Sequence, residues 1–257
     1  VPVTTYTVTY RYEDEAIINT VTVEATQILT KPTDPVKTGY TWIGFNTNPN
    51  ATSKQWTANT EKDISADTTY YVIQSKEIKG TFNTNGASSI GSTSLTCYKY
   101  NGADACNITS PTITAASGFT VVGWNTSSGA TTSAWSPSTS KSFETNATYY
   151  AITKSSSQIT VSFVQNGAGS IGATSQSCYR YNGAASCSVT SPTITAASGF
   201  TVIGWNTSSG ATSNGWTQNT AKAFSSGATY YAITRSSSQI TVSFVANGAS
   251  SISSTSQ

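Results

Sequence analysis

One sequence unit occurs three times in this chain, which restricts the fold to a series of small, similar parts. Its most constant stretch reads GYTWIGFNT from Gly39, SGFTVVGWNTSSGAT from Ser117 and SGFTVIGWNTSSGAT from Ser198. A tryptophan and later a pair of tyrosines follow each stretch: Trp56, Trp135 and Trp216, then Tyr70 and Tyr71, Tyr149 and Tyr150, Tyr230 and Tyr231. The copies lie about 80 residues apart, which is too long for a short solenoid repeat and suits a small domain.

We expect three modules, at residues 1–75, 76–156 and 157–237. Residues 238–257 repeat the opening strand of a module, so this strand pattern occurs four times and the rest of the unit three times. The sequence leaves open whether a module starts or ends with that strand. Two interpretations remain: the extra strand pairs with a neighbouring module or chain by strand addition, or it opens the next unit of a longer array.

Composition excludes several function classes. Charged residues make up 9% of the chain and the net charge is +2, so no strong electrostatic field favours nucleic acid or acidic lipid. No apolar run approaches the ~18 residues of a membrane span. The chain contains no histidine, which excludes a histidine-dependent triad. We expect no enzyme, no cofactor and no metal. Calcium at Glu13, Asp14 and Glu15 is an alternative to a simple solvated tip.

Alternation of apolar and polar residues predicts a mainly β protein. Tyr6, Val8 and Tyr10 share one face of a strand, and the acidic tip turns that strand into a hairpin with INTVTVEA. The strand within the most constant stretch, called the signature strand below, is apolar on both faces and is therefore predicted to be central in its sheet. In SPTITAASGF, from Ser110, we expect one or two helical turns, with a short strand as the rival. This makes the predicted fold class β-rich α+β.

Four cysteines give the sharpest local prediction. They bracket CYKYNGADAC and CYRYNGAASC, whose central Asn-Gly favours a two-residue type I′ turn. Such a turn places Tyr100 opposite Ala103, and the cysteines on a non-hydrogen-bonded pair with Cα atoms about 4.5 Å apart. Zinc or redox sites would need closer spacing. We predict one disulfide in each hairpin and an oxidising compartment; the bonded pairs are Cys97 with Cys106 and Cys178 with Cys187.

The first copy also resembles a known family. Its YTVTY, PTDPVKTGYTWIGFNT, following tryptophan and TTYYVI are similar to the Listeria/Bacteroides repeat of bacterial surface proteins, the family that includes the B repeat of internalin B. Copies two and three lack the Lys-Thr before Gly118 and Gly199 and carry the inserted cysteine hairpin. The resemblance implies β-grasp, ubiquitin-like modules arranged in tandem as an elongated array on secreted or wall-attached proteins.

The aromatic residues have two interpretations. Trp124 and Trp205 in the signature strand are expected to fill the core. Trp135 and Trp216 either cover that core or form a platform on which a sugar stacks. Four hairpin tyrosines share one face and could contact a neighbouring module or a ligand: Tyr98, Tyr100, Tyr179 and Tyr181.

Together these features predict a non-enzymatic structural or adhesive segment of an extracellular bacterial protein, on the cell surface or secreted, that acts as a stalk or fibre. Its expected partners are its own neighbouring modules and copies of itself. The alternative is an array that binds a glycan or host protein through the aromatic residues of each repeat and gains affinity from multivalency.

Overall fold

The computed structural model describes residues 2–25, 29, 32–33, 35–57 and 63–254, and all the regular elements among them are β-strands. They are β1 (Thr5–Arg11), β2 (Ile17–Glu24), β3 (Thr41–Asn46), β4 (Thr68–Asn83), β5 (Ser89–Ile90), β6 (Ser94–Tyr100), β7 (Cys106–Thr109), β8 (Ile113–Thr114), β9 (Phe119–Asn125), β10 (Ser140–Phe143), β11 (Ala147–Ser155), β12 (Ile159–Val164), β13 (Ser170–Ile171), β14 (Ser175–Cys178), β15 (Cys187–Thr190), β16 (Ile194–Thr195), β17 (Phe200–Asn206), β18 (Ala221–Phe224) and β19 (Ala228–Ser236).

The mainly β prediction is confirmed, whereas the α+β class is wrong for the described residues. Where helical turns were expected after Ser110, the chain forms β8, which pairs with β5. The Ser110 hydroxyl does not cap a helix, because it donates to the Ser136 carbonyl at 2.8 Å. The Pro111 carbonyl accepts a hydrogen bond from Trp124 Nε1 at 3.1 Å. These tertiary contacts hold the segment extended. No helix among the described residues is long and apolar enough to span a membrane.

Each copy of the repeat has the same strand order. In the first copy β2 pairs with β1, β1 runs parallel to β4, and β3 pairs antiparallel with β4. The third copy repeats this arrangement as β14-β12-β19-β17. The opening strand of a copy therefore lies beside its closing strand, in parallel. The predicted hairpin around the acidic tip is present as β1 and β2.

The first two copies share one strand. β4 is 16 residues long: its first part closes copy one, and its last part pairs in parallel with β11 and opens copy two. The division that we expected between residues 75 and 76 therefore falls inside a continuous strand. By contact density the chain forms two compact units, residues 1–116 with 121–152 and residues 117–120 with 153–257.

Three separate clusters of buried side chains correspond to the three copies. Each is built on aromatic residues that recur at equivalent positions. In copy two, Phe82 packs edge-on to Trp124 with ring centroids 5.0 Å apart, and Trp135 packs against Tyr149 at 5.0 Å. Trp124 is completely buried, as expected. The first copy places Tyr10 where the other two have phenylalanine.

The glycine of the signature strand permits this packing. Trp124 N donates to Trp135 O at 2.8 Å, and Trp135 N donates back to Trp124 O at 3.1 Å. A Cβ on Gly123 would lie 2.9 Å from Trp135 O and would also meet the Ser133 hydroxyl. Gly44 and Gly204 occupy the same position in β3 and β17, where the pairing register shifts. Glycine therefore lets the strand that carries Phe45, Trp124 or Trp205 approach the segment that carries the following tryptophan.

The final segment differs from its equivalents. Residues 238–254 contain no regular strand, and their side chains are exposed: Ile240 by 89%, Val242 by 50% and Phe244 by 47%. The equivalent residues of β12 are at most 8% exposed, because β14 and β19 flank that strand. In β12 the same apolar pattern forms a buried strand between β14 and β19.

Candidate functional site at the cysteine hairpins

Both cysteine pairs are bonded. Cys97 is linked to Cys106 and Cys178 to Cys187, and the described residues include no free cysteine. Between each pair lies an Asn-Gly turn in which both residues have positive φ, 50° and 88° in the first hairpin and 53° and 73° in the second. Ala103 N donates to Tyr100 O at 2.8 Å and closes the first turn. The disulfides and the turn type predicted from the sequence are therefore present.

Contrary to the prediction, the two strands of each cysteine hairpin do not pair with each other. β6 pairs with β4, whereas β7 pairs with β10. Likewise β14 pairs with β12 and β15 with β18. The bonded Cα atoms are 5.8 Å and 5.9 Å apart instead of about 4.5 Å, because the strands on either side of each turn belong to different sheets. Each disulfide consequently ties two sheets together.

The first Asn-Gly turn is anchored on the preceding copy of the repeat. Asn101 is 7% exposed and makes four hydrogen bonds there. Its backbone N donates to Gln74 O at 3.0 Å, and its Oδ1 accepts from Gln74 N at 3.1 Å. Its Nδ2 donates to Pro49 O at 2.9 Å and to Ala51 O at 2.8 Å. Gln74 is completely buried beneath this contact. The turn thus contacts both the closing strand of copy one, β4, and the loop that follows β3.

The second Asn-Gly turn contacts the end of β11 in the same way. Asn182 N donates to Thr153 O at 2.9 Å, and Asn182 Oδ1 accepts from Thr153 N at 3.1 Å. Ser155 N donates to Arg180 O at 2.8 Å, and the Ser155 hydroxyl accepts from Arg180 N at 3.1 Å. Gln74 and Thr153 have different side chains but bind equivalent asparagines, Asn101 and Asn182, because only the backbone groups of Gln74 and Thr153 take part.

Cations and aromatic rings add to the second contact. Lys154 Nζ lies 3.6 Å from the centre of the Tyr179 ring. The Arg180 guanidinium lies 5.4 Å from the centre of the Phe119 ring. Both distances are within the range of an attractive cation–π interaction. Backbone hydrogen bonds set the register of the hairpin on β11, and these two contacts extend the interface on either side.

The tryptophans considered for sugar binding lie in the core. Trp135 and Trp216 are each 6% exposed, and Lys141 and Lys222 lie 5.9 Å and 5.8 Å from their rings. These rings offer no open face on which a sugar could stack. Of the four hairpin tyrosines, Tyr98 is 46% exposed, and the other three are partly buried.

The acidic tip of copy one forms ion pairs with a lysine. Lys37 Nζ contacts Glu13 Oε1 and lies 3.1 Å from Asp14 Oδ2. The Ala16 backbone N–H and Lys37 together lower the pKa of Asp14, and the hydrogen bond to Glu13 is the main cause that raises the pKa of Lys37. Among the described residues, no group of three or more histidine, cysteine or acidic side chains could hold a metal ion.

A family model described as the Listeria-Bacteroides repeat domain matches residues 6–72, 80–152 and 160–233, which together exceed half of the chain. The chain belongs to the Listeria-Bacteroides repeat family. Each match covers one of the three buried clusters, apart from Ile78 and Ile159, so the repeat found in the sequence is also the family's unit. No curated protein and no solved structure matches the chain.

Membership of the Listeria-Bacteroides repeat family and the two disulfides indicate an extracellular repeat protein, because disulfides persist in oxidising compartments. Sequence reasoning found the hairpins and their turn type. It missed that Asn101 and Asn182 bind the preceding repeat, because Asn-Gly satisfies the needs of an isolated turn and gives no sign of an outside partner. Their acceptors are backbone atoms, which leave no signature in the sequence.

Proposed function

We propose that this chain is a non-enzymatic structural segment of a bacterial cell-surface or secreted protein, in which Listeria-Bacteroides repeats stack into a stalk or fibre. The observation that carries this proposal is the anchoring of Asn101 on Gln74, Pro49 and Ala51. A repeat whose hairpin is hydrogen-bonded to the preceding repeat resists bending at the junction between them. Length then scales with copy number, as in other repeat proteins.

The strand shared by the first two repeats also supports a stiff junction. β4 passes from the first repeat to the second without a linker. Flexible arrays need linkers rich in glycine or serine between their domains, and a continuous paired strand has none of that freedom. We propose modules at residues 1–75, 76–156 and 157–237, with neighbouring modules as the main partners. Parallel pairing of the opening and closing strands of each repeat supports a β-grasp type of module, although the residues that the structure describes form no helix.

Small-angle X-ray scattering tests the stalk. Inserting one or two further copies of residues 157–237 after residue 237 should increase the maximum dimension by a constant step for each copy. Replacing Asn101, Asn182 and the asparagine equivalent to Asn182 in each inserted copy by glycine loosens every junction of the same proteins and should shorten the average step. A maximum dimension that grows with the square root of copy number in the unaltered proteins would contradict a stalk and indicate flexibly linked modules.

The glycan-binding alternative has less support, because Trp135 and Trp216 are buried. The aromatic pair that supports it lies on the second repeat: the exposed Tyr98 ring and the partly buried Tyr100 ring, 6.4 Å apart. A glycan-array screen of the chain and of Tyr98→Ala separates the two functions. Binding that is lost in Tyr98→Ala would favour the array of binding modules.

A further inference from the structure

The end of β19 in the third repeat exposes groups that are buried at the equivalent place in the second. The two segments read AITKSSSQ and AITRSSSQ. Thr153 is completely buried and Ser155 is 2% exposed, whereas Thr234 is partly exposed and Ser236 is exposed. Because the sequences are nearly identical, the difference arises from what covers them. The cysteine hairpin covers Thr153 and Ser155.

The exposed segment already has the conformation of the covered one. The Thr120 hydroxyl donates to Lys154 O at 3.2 Å, and the Thr201 hydroxyl donates to Arg235 O at 3.4 Å. The next contact is also repeated: Ser156 N to Gly118 O at 2.9 Å in one repeat, and Ser237 N to Gly199 O at 2.8 Å in the other. The surface therefore needs no rearrangement before a hairpin binds.

The side chains that contact the hairpin on the second repeat also have exposed equivalents on the third repeat. Arg235 occupies the place of Lys154, whose ammonium group lies over the Tyr179 ring. Phe200 occupies the place of Phe119, whose ring faces the guanidinium of Arg180. Phe200 is 46% exposed. A cation and an aromatic ring thus lie near the partly exposed Thr234, at positions equivalent to those that contact the hairpin on the second repeat.

We propose that Phe200 and residues Thr234–Ser236 form a docking surface for one further disulfide-closed Tyr-Arg-Tyr-Asn-Gly hairpin, supplied by the next repeat of the array. Residues 238–254 repeat the segment that precedes such a hairpin in the third repeat, which places the next hairpin within reach. Its asparagine accepts from Thr234 N and donates to Thr234 O, and its first tyrosine stacks against Arg235. This inference rests on the proposed stacking of repeats and names the surface that continues it.

Amide hydrogen exchange tests the docking surface. The full chain is compared with a chain extended after Gln257 by a further copy of residues 177–237, which supplies a third cysteine hairpin. We expect the Thr234 amide to exchange at least tenfold more slowly in the extended chain, approaching the Thr153 amide of the same protein. Exchange of Thr234 at the same rate in both chains would overturn the proposal.

Variants separate specific docking from a general effect of the added residues. In the extended chain, Arg235→Ala should accelerate exchange at Thr234 by about 2- to 10-fold, since it removes the cation that faces the tyrosine. Arg235→Lys copies Lys154 and should keep the protection. Equal protection in the two variants would remove Arg235 from the surface.

The source of the hairpin is tested in the chain without the extension. Protection of Thr234 that rises with protein concentration there, together with dimers in sedimentation, would show that a second chain occupies the surface and would overturn the assignment to the next repeat. Slow exchange at Thr153 reports the stacking of the existing repeats independently. If the extension did not slow exchange at Thr234 while Thr153 stayed protected, the docking surface would be refuted and the proposed stalk would be unaffected.

Discussion

Replacing Asn101 by glycine should weaken the junction between the first two repeats by about 2–4 kcal/mol. Glycine adopts positive φ without strain, so this change keeps the turn and removes only the side chain. Three hydrogen bonds are lost, of 2.8–3.1 Å. Pro49 O and Ala51 O lie at partly exposed residues and can bind water instead. Gln74 N is buried and loses its Oδ1 acceptor, so its desolvation makes up most of the cost.

Urea unfolding followed by tryptophan fluorescence, together with hydrogen exchange at the Gln74 amide, measures this effect. Asn247→Gly is the matched control, because Asn247 belongs to an exposed Asn-Gly turn and also has a positive φ, of 36°. It should change stability by less than about 0.5 kcal/mol, as surface substitutions usually do. If Asn101→Gly had an equally small effect, the hairpin would not anchor the junction, and the reasoning behind the stalk would fail.

Three further predictions concern the individual repeats. Burial, with a smaller contribution from Tyr70, raises the pKa of Tyr10 to about 12, so the neutral form of Tyr10 is favoured in the fold. Between about pH 10 and 12 the ionisation of Tyr10 should cost the first repeat about 2–3 kcal/mol of stability, and Tyr10→Phe should remove this part of the loss in alkaline denaturation curves. Cys97→Ser with Cys106→Ser should lower the stability of the second repeat by about 2–3 kcal/mol in urea unfolding, while reductant should have no further effect on that repeat. Gly123→Ala should prevent the second repeat from folding, as seen by near-ultraviolet circular dichroism, whereas Gly129→Ala, whose Cβ meets nothing within 4 Å, should fold normally.

Periodicity and turn chemistry predicted much of each repeat. Alternation in TYTVTYR specifies which face of β1 is buried, and Val8 and Tyr10 are indeed completely buried. Asn101 and Gly102 adopt the predicted positive φ because few other residues tolerate it. Such features are local, so the sequence around them is sufficient to predict them.

Pairings between distant segments were predicted less well. The sequence suggested that β6 and β7 pair with each other, since they flank a tight turn. They pair instead with distant strands: β6 joins the seven-stranded sheet through β4, and β7 forms a two-stranded sheet with β10. The expected helix after Ser110 failed for a similar reason: the hydroxyl that would cap it bonds to Ser136 O. Local propensity therefore predicts the wrong structure where backbone groups from distant segments bind the same hydrogen-bond donors.

The strand shared by the first two repeats fixes the permissible spacing between them. Tyr70 and Val72 of the first core, and Ile78 and Phe82 of the second, are all even-numbered residues of β4 and so lie on one face of the sheet. Deleting or inserting one residue between Val72 and Ile78 would turn every later side chain of the strand to the opposite face. Changes of length at this joint are therefore tolerated only in steps of two, which constrains how such arrays can be shortened, recombined or engineered.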